Sequence, residues 1–180
     1  MLNVIESSPI LAVSLQKAKK YLRVEHLEDD DQIKLLIGAA TKLIEQDIGQ
    51  SLLTKVWKKR STADPVKGGY SRINLQYPPL AKVLSLNEVW GDRDIDVRPI
   101  RRYIVEWERT IPSVLFLSTA EKFEVVYQAG FGEKSSDIPD PIRQAILMVV
   151  ADMYEKQESC WGMNPKVNVL LNPYRLRSIV

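Results

Sequence analysis

The apolar residues of this chain change period twice, and that change constrains the fold more than any other feature. Between Ile33 and Ile48 they recur at helical spacing, as Ile33, Leu36, Ile37, Ala40, Leu43, Ile44 and Ile48. From about residue 52 to 132 that period is lost. Short runs rich in branched and aromatic residues replace it, at 53–58, 73–75, 83–90, 103–107, 114–117 and 123–127. Gly68-Gly69, Pro78-Pro79, Gly91-Asp92, Gly130 and Gly132 punctuate these runs, which is the pattern of short strands and turns. Helical spacing returns at Ile142, Ala145, Ile146, Val149, Val150, Met153 and Tyr154. The expectation is an α+β fold: a small helical bundle with an antiparallel sheet or small barrel inserted over about residues 52–132.

Local signals set the helix ends. A first helix is expected near 14–22, with Ser14 as N-cap and Leu15, Ala18 and Leu22 on one face. A second spans 30–48. Asp29 and Gln32 have capping-box spacing, the acidic turn suits the positive end of the helix dipole, and Gly49 is the C-terminal stop. A third spans 141–156, with Asp140 as N-cap and Pro141 where a missing N–H costs nothing. The stretch 155–163 is polar and reads as loop. Asn164-Pro165 opens a short fourth helix, 165–172, and Asn172-Pro173 closes it. Val167, Leu170, Leu171 and Tyr174 share a face of this helix. So short a helix is unstable alone in water, and its apolar face must dock on this domain or on another chain.

At 180 residues the chain reads as one domain, 1–180. Lys and Arg number 25, Asp and Glu 23, for a net charge of +2. So small a balance announces neither a nucleic acid nor a membrane. One cysteine, Cys160, and one histidine, His26, exclude a tetrahedral Cys/His zinc site and an internal disulfide. The longest apolar run, 145–151, has seven residues, against about 20 for a membrane span. No basic residue precedes the apolar Ile10-Leu11-Ala12-Val13, so the N-terminus does not read as a signal peptide and the chain is expected to stay in the cytoplasm.

Few residues invite chemistry. Glu25, Glu28, Asp29, Asp30 and Asp31 lack the glycine and spacing of a calcium loop and read as solvated helix-start acids. His26 and Cys160 have no flanking signature of a base or nucleophile and read as incidental. Gly130-Phe131-Gly132-Glu133-Lys134 lacks the full phosphate-loop pattern and reads as a turn leaving a strand. Lys55, Lys58, Lys59 and Arg60 flank Trp57. Basic and aromatic residues on a strand can hold a single-stranded nucleic acid; the alternative is a solvated edge strand. A second basic group, Arg98, Arg101 and Arg102, is diluted by Asp92, Asp94, Asp96, Glu106 and Glu108. The last stretch, 159–180, carries Lys166, Arg175 and Arg177 without an acid and is a candidate docking arm. No active site emerges, no cofactor is expected, and the role indicated is binding or assembly.

The ordered segments resemble a family. Val13-Ser14-Leu15-Gln16-Lys17-Ala18-Lys19-Lys20-Tyr21-Leu22-Arg23-Val24 leads to the acidic turn, followed by Ile37-Gly38-Ala39-Ala40-Thr41-Lys42-Leu43-Ile44-Glu45 and Gly49-Gln50-Ser51-Leu52-Leu53-Thr54. Pro78-Pro79-Leu80-Ala81-Lys82-Val83 comes next. Phe123-Glu124-Val125-Val126-Tyr127-Gln128-Ala129-Gly130-Phe131-Gly132 then runs into Ile138-Pro139-Asp140-Pro141-Ile142-Arg143-Gln144-Ala145-Ile146-Leu147 and Tyr154-Glu155. Together they resemble the bacteriophage head–tail connector family, also called adaptor or head-completion proteins, in its longer phage and prophage branch. Residues 91–121 match nothing in that pattern, and Lys156 and Gln157 stand where the family usually has Asn and Arg.

The resemblance implies a structural virion protein, not an enzyme, at the head–tail junction. Members form a ring, typically of twelve copies, beneath the portal protein. The ring extends the channel for DNA and gives a tail-side stopper or tail-completion protein its attachment surface. It implies a portal-docking role for Val167, Leu170, Leu171, Tyr174, Arg175 and Arg177. The alternative is a nucleic-acid-binding phage assembly module using Lys55, Trp57, Lys58, Lys59 and Arg60. Either would work in the host cytoplasm during assembly, away from any membrane.

Overall fold

The computed structural model describes residues 1–7, 9–90, 96–155 and 165–176. The chain forms two units, Met1–Ser7 with Thr54–Gly130, and Ser8–Leu53 with Phe131–Val180.

The second unit is helical. It holds α1 (Leu15–Leu22), α2 (Asp30–Ile48), α3 (Asp140–Glu155) and α4 (Pro165–Leu171). Ser14 caps α1, its hydroxyl accepting from the Lys17 N–H at 3.3 Å. Gly49 closes α2 in the left-handed conformation, φ 72°, and its N–H donates to the Glu45 carbonyl. That conformation carries little cost only without a Cβ. The stripes expected from spacing are the ones buried. Ile33, Ile37, Ala40, Ile44 and Ile48 of α2 meet Ile142, Ala145, Ile146, Val149 and Val150 of α3, with Ala18, Val167 and Leu171 in the same core.

Two helix starts differ from expectation. Asp29 makes no capping hydrogen bond; its carboxylate accepts instead from the Tyr154 hydroxyl of α3, at 2.5 Å. A partner 125 positions away outcompetes the local cap. Asp140 lies inside α3, where the Pro139 carbonyl accepts from the Ile142 and Arg143 N–H groups at 3.0 and 3.1 Å. The Asp140 carboxylate pairs with Arg143. α4 ends at Leu171, and the chain leaves it through a 3-10 turn, Asn172–Tyr174, that holds Pro173. Most of the expected polar loop, 156–163, lies outside the described residues.

The first unit is all strand. A five-stranded antiparallel sheet has the order β1 (Leu2–Ser7), β2 (Lys55–Ser61), β9 (Lys122–Ala129), β5 (Leu80–Trp90), β6 (Asp96–Pro99). A four-stranded one runs β3 (Asp64–Pro65), β4 (Ser71–Asn74), β8 (Ser113–Phe116), β7 (Tyr103–Glu106). The expected strands at 53–58, 73–75, 83–90, 103–107, 114–117 and 123–127 correspond to β2, β4, β5, β7, β8 and β9. The sheet alternative holds and the barrel does not. A barrel needs its first and last strands to pair, whereas β1, β6, β3 and β7 are each paired on one side alone. β1, β3 and β6 were not expected.

Period-2 alternation builds the core of this unit. Phe123, Val125, Tyr127 and Ala129 of β9 are buried beside Val83 and Leu86 of β5, and against Ile73, Val114 and Phe116 of the other sheet. Phe116 meets Phe123 edge-on, ring centres 4.8 Å apart, the arrangement aromatic quadrupoles favour. The Tyr127 hydroxyl donates to the Gln76 carbonyl at 2.9 Å, and burial pushes its pKa above the usual phenol range.

Candidate functional site

The basic strand does not present one surface. Strand alternation puts Lys58 and Arg60 on one face of β2 and Lys55, Trp57 and Lys59 on the other. Trp57 is buried and stacks on Tyr77 with ring centres 4.6 Å apart and planes within 3°. Its ring is thereby committed to the core, and no base can stack on it. Lys58 and Arg60 converge on Glu124 of β9, at 2.9 and 2.6 Å. Burial alone would push the Glu124 carboxyl up, but hydrogen bonds and charge from Lys58 and Arg60 outweigh it and hold the carboxyl below its ordinary value. Lys59 reaches the Asn74 carbonyl at 2.7 Å, and its burial lowers its pKa. Four of the five residues are thus engaged inside their own unit, and Lys55 also has a partner.

The C-terminal segment is built differently from an arm whose whole apolar face is free. Val167 and Leu171 are fully buried in the helical core, and Leu170 and Tyr174 pack against it. Beyond α4 the chain is tied to the end of α2. The Leu176 N–H donates to the Ile48 carbonyl at 3.0 Å, and Gln50 donates to the Tyr174 carbonyl at 2.6 Å. Arg175 pairs with Asp47 and with Asn168 at 2.7 and 2.6 Å. What the segment leaves outward is Val169, 74% exposed, with Asn172 and Pro173 beside it. Arg177 lies outside the described residues.

The acidic turn is a set of local ties. Asp30 holds Lys19 at 2.5 Å, Asp31 holds Lys34 at 2.9 Å, and Asp29 faces His26 at 3.6 Å as well as Tyr154. Glu25, Leu27 and Glu28 are exposed. No group of three or more possible metal ligands occurs among the described residues. At the end of β9, Gly130 has φ 146° and the chain turns into the 3-10 segment Ser135–Asp137. The Asp137 carboxylate accepts from the Lys134 N–H at 2.9 Å, filling the space beside Gly132. Cys160 lies outside the described residues.

One feature escaped the sequence reading. Residues of the four-stranded sheet, with Glu88 of β5 and Pro99 of β6, line a groove of about 880 Å³ whose apolar lining includes Tyr70, Ile100, Ile104 and Leu117. Ile104 is 56% and Leu117 61% exposed. Arg101 and Arg102, just before β7, lie at this groove with Glu88. The Glu88 carboxylate is taken by the Trp90 indole N–H at 3.0 Å and the Ser118 hydroxyl at 2.6 Å. The available signal was Arg101 and Arg102 next to the Ile104 and Leu117 positions.

Comparison with known proteins then bears on the whole chain. The model of the head completion protein family matches residues 12–162. No curated protein matches. Three solved chains share the fold over 100% of this chain and 97% of theirs. One is from the neck of an empty GTA particle computed with C6 symmetry, at 20% identity and TM-score 0.81. Another is from the virion of a native gene transfer agent (GTA) particle, at 22% and 0.84. The third is from the neck of a native GTA particle computed with C12 symmetry, at 21% and 0.81. At these identities the likeness is one of fold.

Proposed function

The chain belongs to the head completion protein family, and from that premise we propose that it is a non-catalytic structural protein of the virion neck. In this proposal it forms a ring beneath the portal, extends the DNA channel, and offers the tail side a stopper or tail-completion attachment surface. The observation that carries it is the end-to-end likeness of fold, TM-score 0.81 to 0.84, to chains taken from GTA particles and their necks. The two necks among them were computed with C6 and C12 symmetry. Rotational symmetry repeats a chain around an axis, and a closed ring uses two different, complementary patches on each copy. The near-balanced charge, +2, suits a channel wall along which DNA slides, since a strongly basic wall would grip phosphates.

The proposed portal contact is the outward side of the C-terminal segment. Val169 is its exposed apolar residue. Val167, Leu170, Leu171, Tyr174 and Arg175 hold the segment in place from within, and Arg177 follows it. Mixing the chain with the portal protein from the same genome tests the proposal by light-scattering mass after gel filtration. Co-elution with portal at ring stoichiometry is expected. A chain that neither forms a ring nor co-elutes with portal contradicts it.

A further inference from the structure

We propose that neighbouring copies join by seating the Leu27 turn of one copy in the Arg101–Arg102 groove of the next. The inference rests on the ring reading above and names a contact within it. The groove has apolar walls, including Ile104 and Leu117, two guanidinium groups at its side, and one carboxylate, Glu88, already engaged by Trp90 and Ser118. Arg101 and Arg102 are exposed and make no hydrogen bond or ion pair with any described residue. The turn has the inverse chemistry. Leu27 is 76% exposed, and Glu25 and Glu28 on either side of it are exposed and equally unpaired among the described residues. An exposed leucine between two exposed carboxylates thus matches an apolar groove beside two exposed arginines.

The match commits the occupant to a second copy of this chain. The two patches are different surfaces, so the contact is head-to-tail, the kind of contact that forms a ring when its rotation closes. It buries apolar area at its centre and sets opposite charges at its rim, as protein interfaces do. It also accounts for a chain whose overall charge is nearly balanced while single patches are not.

The test uses the full chain and reads self-association by sedimentation velocity, alone at high concentration and on the portal protein. Arg101→Glu with Arg102→Glu should weaken copy–copy association about tenfold or more at low salt. Glu25→Arg with Glu28→Arg should do the same. Mixing the two variants should restore assembly, because each groove then meets a turn of opposite charge. All four changes in one chain should also restore it. The inference is overturned if either reversal leaves association unchanged, if neither combination restores it, or if the unaltered chain never self-associates under these conditions. Portal binding is read separately. Loss of the copy–copy contact alone removes the interface, whereas loss of portal binding by the unaltered chain removes the reading beneath it.

Discussion

At the scale of residues, the structure turns on a few side chains whose partners are far away in the sequence. Gly132 is required for space. A Cβ there would lie 2.5 Å from the Asp137 Cβ, which is backbone-anchored and cannot swing away. Gly132→Ala should destabilise the chain by about 1–3 kcal/mol, measured by urea unfolding. Glu124 is a buried carboxylate held by Lys58 and Arg60. Its pKa is depressed in the folded chain from an ordinary 4.5. The stability it contributes is therefore present above that ordinary value and lost as pH falls through the folded one. Glu124→Gln should cost about 1–2 kcal/mol at pH 7, and the gap to the unaltered chain should narrow as pH falls below about 4.5. A gap independent of pH would contradict that account. Neither Glu124 nor the burial of Trp57 was legible from the strand's composition, because "basic plus aromatic" describes both a binding face and a core edge. The alternation was legible, since Trp57 must point away from Lys58 and Arg60 on any strand. The Asp29–Tyr154 bond was not, because nothing near Asp29 competes visibly with the cap.

At the scale of elements, legibility followed burial. α2 and α3 each bury one face, so their apolar residues had to recur at helical spacing. β9 buries every second residue, and its alternation was plain. β1 has no buried residue and gave no pattern; it exists because the β2 edge offers it hydrogen bonds. β3 has two residues, and β6 is exposed throughout and carries a proline. The fourth helix was expected to need a dock, and its inner face has one in its own unit. Leu171→Ala should therefore cost about 2–5 kcal/mol by leaving a cavity in the helical core. Val169→Asp changes an outward residue, should leave stability within about 0.5 kcal/mol, and should weaken portal binding if the segment docks as proposed. Thermal melts and portal pull-downs on the same two variants separate the roles. A Val169→Asp chain that binds portal normally would remove the proposed contact.

At the scale of the whole molecule, a fold class and a family were legible in the sequence; the structure bears out the first and the family match the second. The β-rich middle is two open sheets with a strand from the N-terminus. The groove at Arg101 and Arg102 was invisible as a surface because its walls come from β5, β6, β7 and β8 and the residues beside them. On the proposed function, this chain serves as a ring at the virion neck. Electron cryomicroscopy of necks from particles that encode it tests this most directly. Density for this fold should repeat around the channel axis, in contact with the portal on one side and the tail-side protein on the other. Necks in which portal and tail proteins meet directly, with no density for this fold between them, would contradict it.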